Sequence, residues 1–434
     1  MASKVQIYSP SNSAALRYTL AFIFRDFYGV SWELVTDPAL LHKGVAFIDY
    51  SDEQISGGIQ IVPHGSFEKL DFPFKEALNE GTWNELPVFF KSNGEIPFDI
   101  FAAVFFSLSR YEEYHISERD EHGRFKADHS ILSKLKMLHR PVVDEWLLAL
   151  GDLLEDKMEN FQPVKRTFEW INTFDIDIAF AYTNRPLVRV LGGTGKNLFQ
   201  ADFKPVLERT KVLLGLGADP FDTYEFQKQI ALKYECKTLY FFLSGGKTTY
   251  DNALDLNHRG MRSLIHKAGE YAEIGLHPSY NAGLDREMLS QEKGNLEEIA
   301  GRKIRSSRQH FLRLQIPETY HTLEEVGIKS DYTMGYAERI GFRSGTATPH
   351  DFFNLQTGEP TSLKIYPLHI MDGTLRDYMK LNPEDAISAQ RELIRNVKRV
   401  KGIFVSLWHN DTLREGGKWR DVYSEMAKES GTAL

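Results

Sequence analysis

The stretch TFEWINTFDIDI, residues 167–178, is dominated by β-branched and aromatic residues. That composition is typical of a strand with a buried environment. A polar segment with a single proline, residues 157–165, precedes it and indicates a domain boundary. We therefore predict two domains, residues 1–160 and residues 166–434.

Downstream of this first strand, predicted strands alternate with predicted helices to the end of the chain. The predicted strands are 237–244, 273–277, 304–308, 328–331, 341–344, 363–371 and 403–408. The predicted helices are 259–271, 285–300, 317–326 and 383–400. This alternation predicts a parallel sheet with crossover helices, as either an open doubly wound sheet or a (β/α) barrel.

The first domain is predicted to be a smaller α/β unit. It begins with a strand at residues 4–8 and a helix whose apolar residues Leu16, Leu20, Ile23 and Phe24 recur at helical spacing. A second strand is predicted at 45–50, and helices at 98–114 and 141–158. We expect Glu112, Glu113 and His115 to form the solvated end of the first of these two helices.

Composition restricts the kind of metal site the chain can build. The 434 residues include one cysteine, Cys236, and 14 histidines. An intramolecular disulfide and a cysteine-rich zinc or iron–sulfur site are therefore excluded. Any metal must be held by nitrogen and oxygen atoms, which suits zinc, manganese, cobalt or iron.

Charge and hydropathy exclude several classes of partner. The net charge is −8, from 52 basic and 60 acidic residues, and neither sign forms a long run. Binding to nucleic acid is therefore not expected. No apolar run is long enough to span a bilayer and no secretory signal is evident, so we expect a cytoplasmic protein. The glycine-rich stretch at residues 192–196 lacks the spacing of a phosphate-binding loop.

Groups able to bind a metal or to move protons stand at the ends of several predicted strands. They are Asp175, Asp177, His277, Arg308, His310, His369, Asp372 and His409. In (β/α) barrels the active site forms at the carboxyl ends of the strands, because side chains there converge on one opening. We therefore expect a site at this end of the second domain.

The two aspartates are two residues apart, so their carboxylates face the same side of a regular strand. Close carboxylates resist ionising together, and a bound cation relieves the repulsion and leaves one of them free as a general base. The alternative is a pair of loop-capping aspartates. His277 is similarly either a hydrogen-bonded core residue or a rim ligand, and His409 suits a proton donor to a leaving group.

The ordered motifs of residues 166–434 resemble those of the NodB-homology polysaccharide deacetylases, carbohydrate esterase family four. They are TFDID at 173–177, EIGLHPSYN at 273–281, SRQHF at 307–311, and Leu407 with His409. The resemblance implies a deformed (β/α) barrel, a divalent metal, most readily zinc, and hydrolysis of N-acetyl groups on a saccharide. It further implies Asp175 as base, Asp177 and His277 as metal ligands, Arg308 as the residue that orients the base, and His409 as acid.

The sequence departs from the family pattern at the second metal histidine. Asn281 occupies that position, and its carbonyl oxygen is a weaker ligand for zinc. His310 occupies the usual proline position of the third motif and could replace the missing ligand. Asp331 and Arg343 resemble part of the fourth motif, and His369 and Asp372 are further supporting candidates.

Residues 1–160 resemble an uncharacterised α/β domain that precedes such catalytic domains, through the stretches 97–103 (PFDIFAA) and 120–125 (DEHGRF). This likeness implies no chemistry. For the whole chain we favour a metal-dependent de-N-acetylase. The alternatives are a degenerate domain that binds saccharide without turnover, and a hydrolase of another amide such as a small cyclic one. The sequence leaves the oligomeric state open.

Overall fold

The computed structural model describes residues 4–72, 81–159, 161–184, 203–246 and 248–431. The glycine-rich stretch at 192–196 lies outside these ranges. Among the described residues, every helix is too short or too polar to cross a membrane.

The amino-terminal unit contains a four-stranded parallel sheet of order β2-β1-β3-β4, and a small hairpin of β5 and β6. Its strands are β1 Val5–Tyr8, β2 Trp32–Val35, β3 Phe47–Asp49, β4 Gly58–Gln60, β5 Thr82–Trp83 and β6 Leu86–Pro87. Its helices are α1 Ala14–Leu20, α2 Ser66–Lys69, α3 Ile100–Ser109, α4 Tyr111–His115, α5 Ile131–Lys134 and α6 Val142–Lys157. A π-helical segment, Ala21–Phe27, continues α1.

The predicted helix at 98–114 is divided in two. Asp99 caps α3, because its side chain accepts a hydrogen bond from the Ala102 amide at 2.9 Å. Every residue of α3 is buried. The helix ends at Arg110, whose φ of 55° is left-handed, and α4 then starts in a new direction. The prediction that Glu112 and Glu113 are solvated is wrong, because both side chains are buried against arginines.

The second unit contains a nine-stranded sheet of order β12-β13-β11-β10-β9-β8-β7-β15-β14. Its strands are β7 Glu169–Ile176, β8 Lys237–Leu243, β9 Glu273–His277, β10 Ser306–Ser307, β11 Ser330–Asp331, β12 His350–Asn354, β13 Glu359–Ile365, β14 Ile370–Met371 and β15 Ile403–His409. Its helices are α7 Phe203–Leu213, α8 Tyr224–Tyr234, α9 Arg259–Ala268, α10 Arg286–Ala300, α11 Glu318–Glu325, α12 Pro383–Arg399 and α13 Lys418–Gly431.

Neighbouring strands of this sheet are parallel except for β12, which pairs antiparallel to β13 at one edge. The predicted mixture of helices and parallel strands is thus present. Among the described residues, β12 and β14 are the two ends of the hydrogen-bonded order, so strand pairing does not close the sheet into a barrel.

Two predicted strands differ from the structure. Residues 341–344 form a turn, because Gly341 has a φ of +132° and the Phe342 amide donates a hydrogen bond to the Leu138 carbonyl of the first unit at 2.8 Å. A side chain at Gly341 would collide with that carbonyl. The predicted strand 363–371 is two strands, β13 and β14, which lie on opposite sides of the sheet order.

Alternation along the central strands separates two apolar layers. On β7, Trp170, Phe174 and Ile176 pack in the larger core with the helices, whereas Ile171 packs in a smaller cluster on the opposite face. On β15, Val405 and Leu407 belong to that smaller cluster too. Because side chains of a strand alternate between faces, Asp175 and His409 continue the rows of Ile171 and Leu407. The pattern therefore directs polar groups to the end of the smaller cluster.

The two units share a buried junction. The Glu113 carboxylate accepts hydrogen bonds from Arg343 Nε at 2.9 Å and Nη2 at 2.6 Å. Asp144 on α6 accepts from the Ala347 amide and the Thr348 hydroxyl. These contacts fix the amino-terminal unit on the loop that precedes β12.

Candidate metal and proton-transfer site

Strand register brings the predicted residues to one end of the sheet. His409 on β15 pairs with Asp175 on β7, and His277 on β9 pairs with Leu243 on β8. Ser307 on β10 pairs with Leu276, so Arg308 follows directly beside His277. The carboxyl ends of β10, β9, β7 and β15, with β8 between β9 and β7, therefore supply one cluster of polar side chains.

Arg308 positions Asp175. The arginine is fully buried and donates from Nη1 to Asp175 Oδ1 at 3.1 Å and to the Thr173 hydroxyl at 2.7 Å. Its Nε donates to the Tyr332 carbonyl at 3.1 Å. These contacts hold the guanidinium in place, and its bond to Oδ1 fixes the orientation of the Asp175 carboxylate.

Three side chains form a cluster that could hold a metal ion. One ligand atom each from Asp177, His277 and His310 lie within 4.8 Å of one another. His277 Nε2 is 3.2 Å from Asp177 Oδ1, and His310 Nε2 is 3.6 Å from Asp177 Oδ2. Two imidazoles and a carboxylate suit zinc and other divalent transition metals.

The second ring nitrogen of each imidazole, Nδ1, donates a hydrogen bond to a protein oxygen. His277 Nδ1 donates to the Arg308 carbonyl at 2.6 Å, and His310 Nδ1 donates to Asp251 Oδ1 at 2.8 Å. A carbonyl or carboxylate partner at Nδ1 fixes the tautomer that leaves the Nε2 lone pair for a metal.

The donor set fits a divalent cation on a further observation. Asp177 Oδ1 is shielded from solvent, and although His277 Nε2 approaches it to 3.2 Å, the atom makes no hydrogen bond of acceptable geometry among the described residues. A buried carboxylate oxygen without a partner carries a desolvation cost, which a cation at this position would offset. The neighbouring imidazoles also favour the ionised form of Asp177, which a metal ligand requires. Burial alone would raise the pKa of Asp177, but its contacts with His277 and His310 outweigh burial and hold that pKa well below its ordinary value.

The same contacts act on His310 in the opposite sense. Burial would lower its pKa, and the carboxylates of Asp177 and Asp251 raise it to about 9. Both ring nitrogens of His310 thus face carboxylate oxygens, which favour its protonated form. A bound cation would replace that proton, so metal binding is expected to release protons.

A separate pair, an imidazole hydrogen-bonded to a carboxylate, lies beside this cluster. His409 Nδ1 donates to Asp372 Oδ1 at 2.7 Å, and the His409 amide donates to Asp372 Oδ2 at 2.9 Å. His409 Nε2 lies 3.7 Å from Asp177 Oδ2. Burial would lower the pKa of His409, but Asp372 above all, and then Asp177 and Asp175, raise it well above the ordinary value. The side chain is therefore suited to hold a proton at Nε2, facing the cavity.

Four predicted residues lie apart from the cluster. Asn281 is exposed and is neither in the three-residue cluster nor on the wall of the cavity described below. Asp331 is buried at the end of β11, where it accepts hydrogen bonds from Ser307 and Thr333.

Arg343 belongs to the junction between the units. The Nδ1 atom of His369 accepts a hydrogen bond from the Val405 amide at 3.0 Å, and burial lowers the pKa of His369 to about 3. The imidazole of His369 is therefore a neutral structural group.

Sequence reasoning missed two residues at the site. Asp251, behind His310, lies in the loop after β8, and only its place in a polar segment after a strand could have indicated it. Arg124 belongs to the amino-terminal unit but lines the cavity above the cluster. This cavity has a volume of about 320 Å³ and also contains Asp175, His277 and His409 in its wall.

Comparison with family models gives a match to the first part of the chain. A family model described as "Family of unknown function (DUF7033)" matches residues 5–159. No curated protein matches the sequence.

Among solved structures, similarity is found to a candidate polysaccharide deacetylase from Mycobacterium smegmatis, with 17% identity and a TM-score of 0.40 over 61% of this chain and 86% of that one. The polysaccharide deacetylase Bc1974 from Bacillus cereus gives 12% identity and a TM-score of 0.28 over 61% and 86% of the two chains. A CE4 family pseudoenzyme from Bacillus anthracis gives 10% identity and a TM-score of 0.29 over 62% of each.

Proposed function

We propose that this chain is a metal-dependent hydrolase that removes N-acetyl groups from a saccharide. The observation that carries the proposal is the joint arrangement of a three-ligand cluster, a carboxylate held by arginine and an imidazole held by carboxylate around one cavity. The order of motifs that resembles polysaccharide deacetylases supports the same reaction. The fold that accompanies the proposal is their deformed (β/α) barrel, formed by residues 166–434, with residues 1–160 as a separate α/β domain.

The metal would be held by Asp177, His277 and His310, with zinc favoured and manganese, cobalt or iron as alternatives. When bound, a divalent ion supplies positive charge that polarises an amide carbonyl and makes water more acidic. His310 replaces the second metal-binding histidine of the family motif, whose position in this sequence is occupied by Asn281. The alternative, a domain that binds saccharide without turnover, was based on the absence of that ligand. The replacement by His310 therefore favours turnover.

The remaining residues of the site would move protons. Asp175, oriented by Arg308, accepts a proton from the attacking water, whose oxygen bonds to the acyl carbon. His409 donates its Nε2 proton to the amide nitrogen as the carbon–nitrogen bond breaks. The immediate products are acetic acid and a free amine on the sugar, and the acid then gives its proton to the amine to leave acetate and an ammonium group. Loss of the proton from Asp175 to solvent and uptake of one by His409 restore the starting state, so atoms and charges balance.

An aromatic wall beside the cluster suits a sugar ring. Tyr250 lines the cavity and is 46% exposed. Its ring stacks on Tyr280 with centroids 4.0 Å apart and an interplanar angle of 22°. A rigid aromatic face next to convergent polar groups is the usual composition of a site for a small organic ligand.

The test combines metal analysis with acetate release from N-acetylglucosamine oligomers. Protein purified without chelator should contain one metal per chain, and His277→Ala and His310→Ala should each lose it, whereas Asn281→Ala should retain it. Asp175→Asn should keep metal and fold but release acetate roughly 100-fold to 10,000-fold more slowly. Full activity in Asp175→Asn would contradict the mechanism. Saccharide binding without metal would favour the binding-only alternative, and turnover of a cyclic amide alone would favour the other hydrolase.

A further inference from the structure

We propose that the amino-terminal unit completes the active site by holding the loop that carries His310. The contact segment is residues 120–124, and its central group is Arg124, a positioning residue. The inference goes beyond the reaction itself and assigns a role to a unit whose family description contains none. It rests on the proposed metal site, since the loop matters only if His310 is a ligand.

Arg124 connects three parts of the molecule with its three donor nitrogens. Its Nε donates to Asp120 Oδ2 at 2.7 Å within the segment. Its Nη1 donates to the Phe311 carbonyl at 2.8 Å, and its Nη2 donates to the Tyr378 hydroxyl at 3.3 Å. Its side chain is 7% exposed and forms part of the cavity wall. The guanidinium therefore links the loop that carries His310 to the opposite side of the cavity.

His122 and Gly123 add contacts to the same loop. The His122 carbonyl accepts a hydrogen bond from Arg313 Nε at 3.1 Å, and the His122 ring lies 4.9 Å from the Phe311 ring. His122 Nδ1 is 3.0 Å from the Tyr280 hydroxyl, in the loop that follows His277. Gly123 has a φ of +75° and lies against the end of the Gln315 side chain. The left-handed backbone explains why a glycine stands at this point.

The loop held by these contacts has an unfavourable backbone. Phe311 has a φ of 59° and Leu312 a φ of 52°, in the left-handed region that residues other than glycine rarely occupy. Both directly follow His310. Such a conformation persists only where surrounding contacts impose it. Arg124 supplies one of those contacts at the Phe311 carbonyl itself, one residue from the proposed ligand.

The unit that carries Arg124 is firmly attached elsewhere. The ion pair of Glu113 with Arg343 and the bonds of Asp144 to the loop before β12 are buried. The segment 120–124 therefore projects from a fixed base. This attachment is required because Arg124 can hold the loop in position only if the unit that carries Arg124 does not move with the loop.

The experiment measures Co²⁺ affinity of the full chain by visible absorption. Arg124→Gln removes the guanidinium, and Lys126→Gln is the matched control, because Lys126 is exposed two residues after Arg124. We expect Arg124→Gln to bind Co²⁺ about 10-fold more weakly with an altered absorption spectrum, and to melt within a few degrees of wild type. Lys126→Gln should match wild type in both affinity and spectrum. Asp120→Asn, which frees Arg124, should weaken affinity in the same direction.

Equal affinity and spectrum in Arg124→Gln and Lys126→Gln would overturn the inference. If Arg124→Gln does not fold, Arg124→Lys is measured instead, since it keeps the charge but cannot make the three-way contact. Asp177→Ala separates the two proposals. Loss of Co²⁺ binding in Asp177→Ala together with unchanged binding in Arg124→Gln would refute only the positioning role. Retained binding in Asp177→Ala would refute the proposed metal site.

Discussion

Replacing Glu113 with glutamine should destabilise the chain by about 3 kcal/mol. The carboxylate is 2% exposed and accepts hydrogen bonds from Arg110 Nε at 2.8 Å and from two nitrogens of Arg343. Burial alone would raise the pKa of Glu113, but the two guanidinium groups lower it from 4.5 to about 2. At about 1.4 kcal/mol per pH unit, that difference corresponds to about 3 kcal/mol. Removing one partner of a buried ion pair costs about 3–5 kcal/mol in other proteins, in agreement.

The assay is urea denaturation at pH 7 followed by tryptophan fluorescence, with Glu118→Gln as control because Glu118 is exposed nearby. The pH dependence gives a second test. Because the folded-state pKa of Glu113 is depressed, its contribution is complete above pH about 4.5 and disappears as the pH falls towards 2. The difference between wild type and Glu113→Gln should therefore shrink on acidification. Equal stabilities of the Glu113→Gln and Glu118→Gln variants at pH 7 would refute the reasoning.

Two further predictions concern the site. Asp251→Asn should weaken metal binding about 10-fold to 100-fold, because Asp251 holds His310 Nδ1. Asp255→Asn, at an exposed aspartate in the same loop, is the control, and equal affinities measured by metal titration would contradict the role of Asp251. Asp372→Asn should lower the pKa of His409 and so move the alkaline limb of acetate release to lower pH, since an acid acts only while protonated. An unmoved limb in the pH–rate profile would count against His409 as the acid.

The sequence was most informative where one strand decides the position of a side chain. Asp175, His277 and His409 could be placed together because parallel strands end at one edge and side chains alternate between faces. Asp251 and Arg124 could not be found in this way, since loops bring them to the site. The burial of Glu113 was also missed, because its partner Arg343 lies 230 positions away in the chain. Helical periodicity describes one element and contains no information about such a partner.

In the proposed function, a ligand is exchanged between two loops, which would let the site differ from the motif it resembles and still hold a metal. Strands β9 and β10 are parallel neighbours, and the pairing of Ser307 with Leu276 sets Arg308 beside His277. The Arg308 carbonyl accepts a hydrogen bond from His277 Nδ1, and His310 follows two residues later, so both imidazoles reach Asp177 from adjacent strand ends. A metal requires donor atoms close together with their other nitrogens held, and it does not require both histidines in one loop. In the proposed site, Asn281 can be exposed because His310 is the third ligand, and the left-handed turn at Phe311, which Arg124 contacts, would be a condition of metal binding.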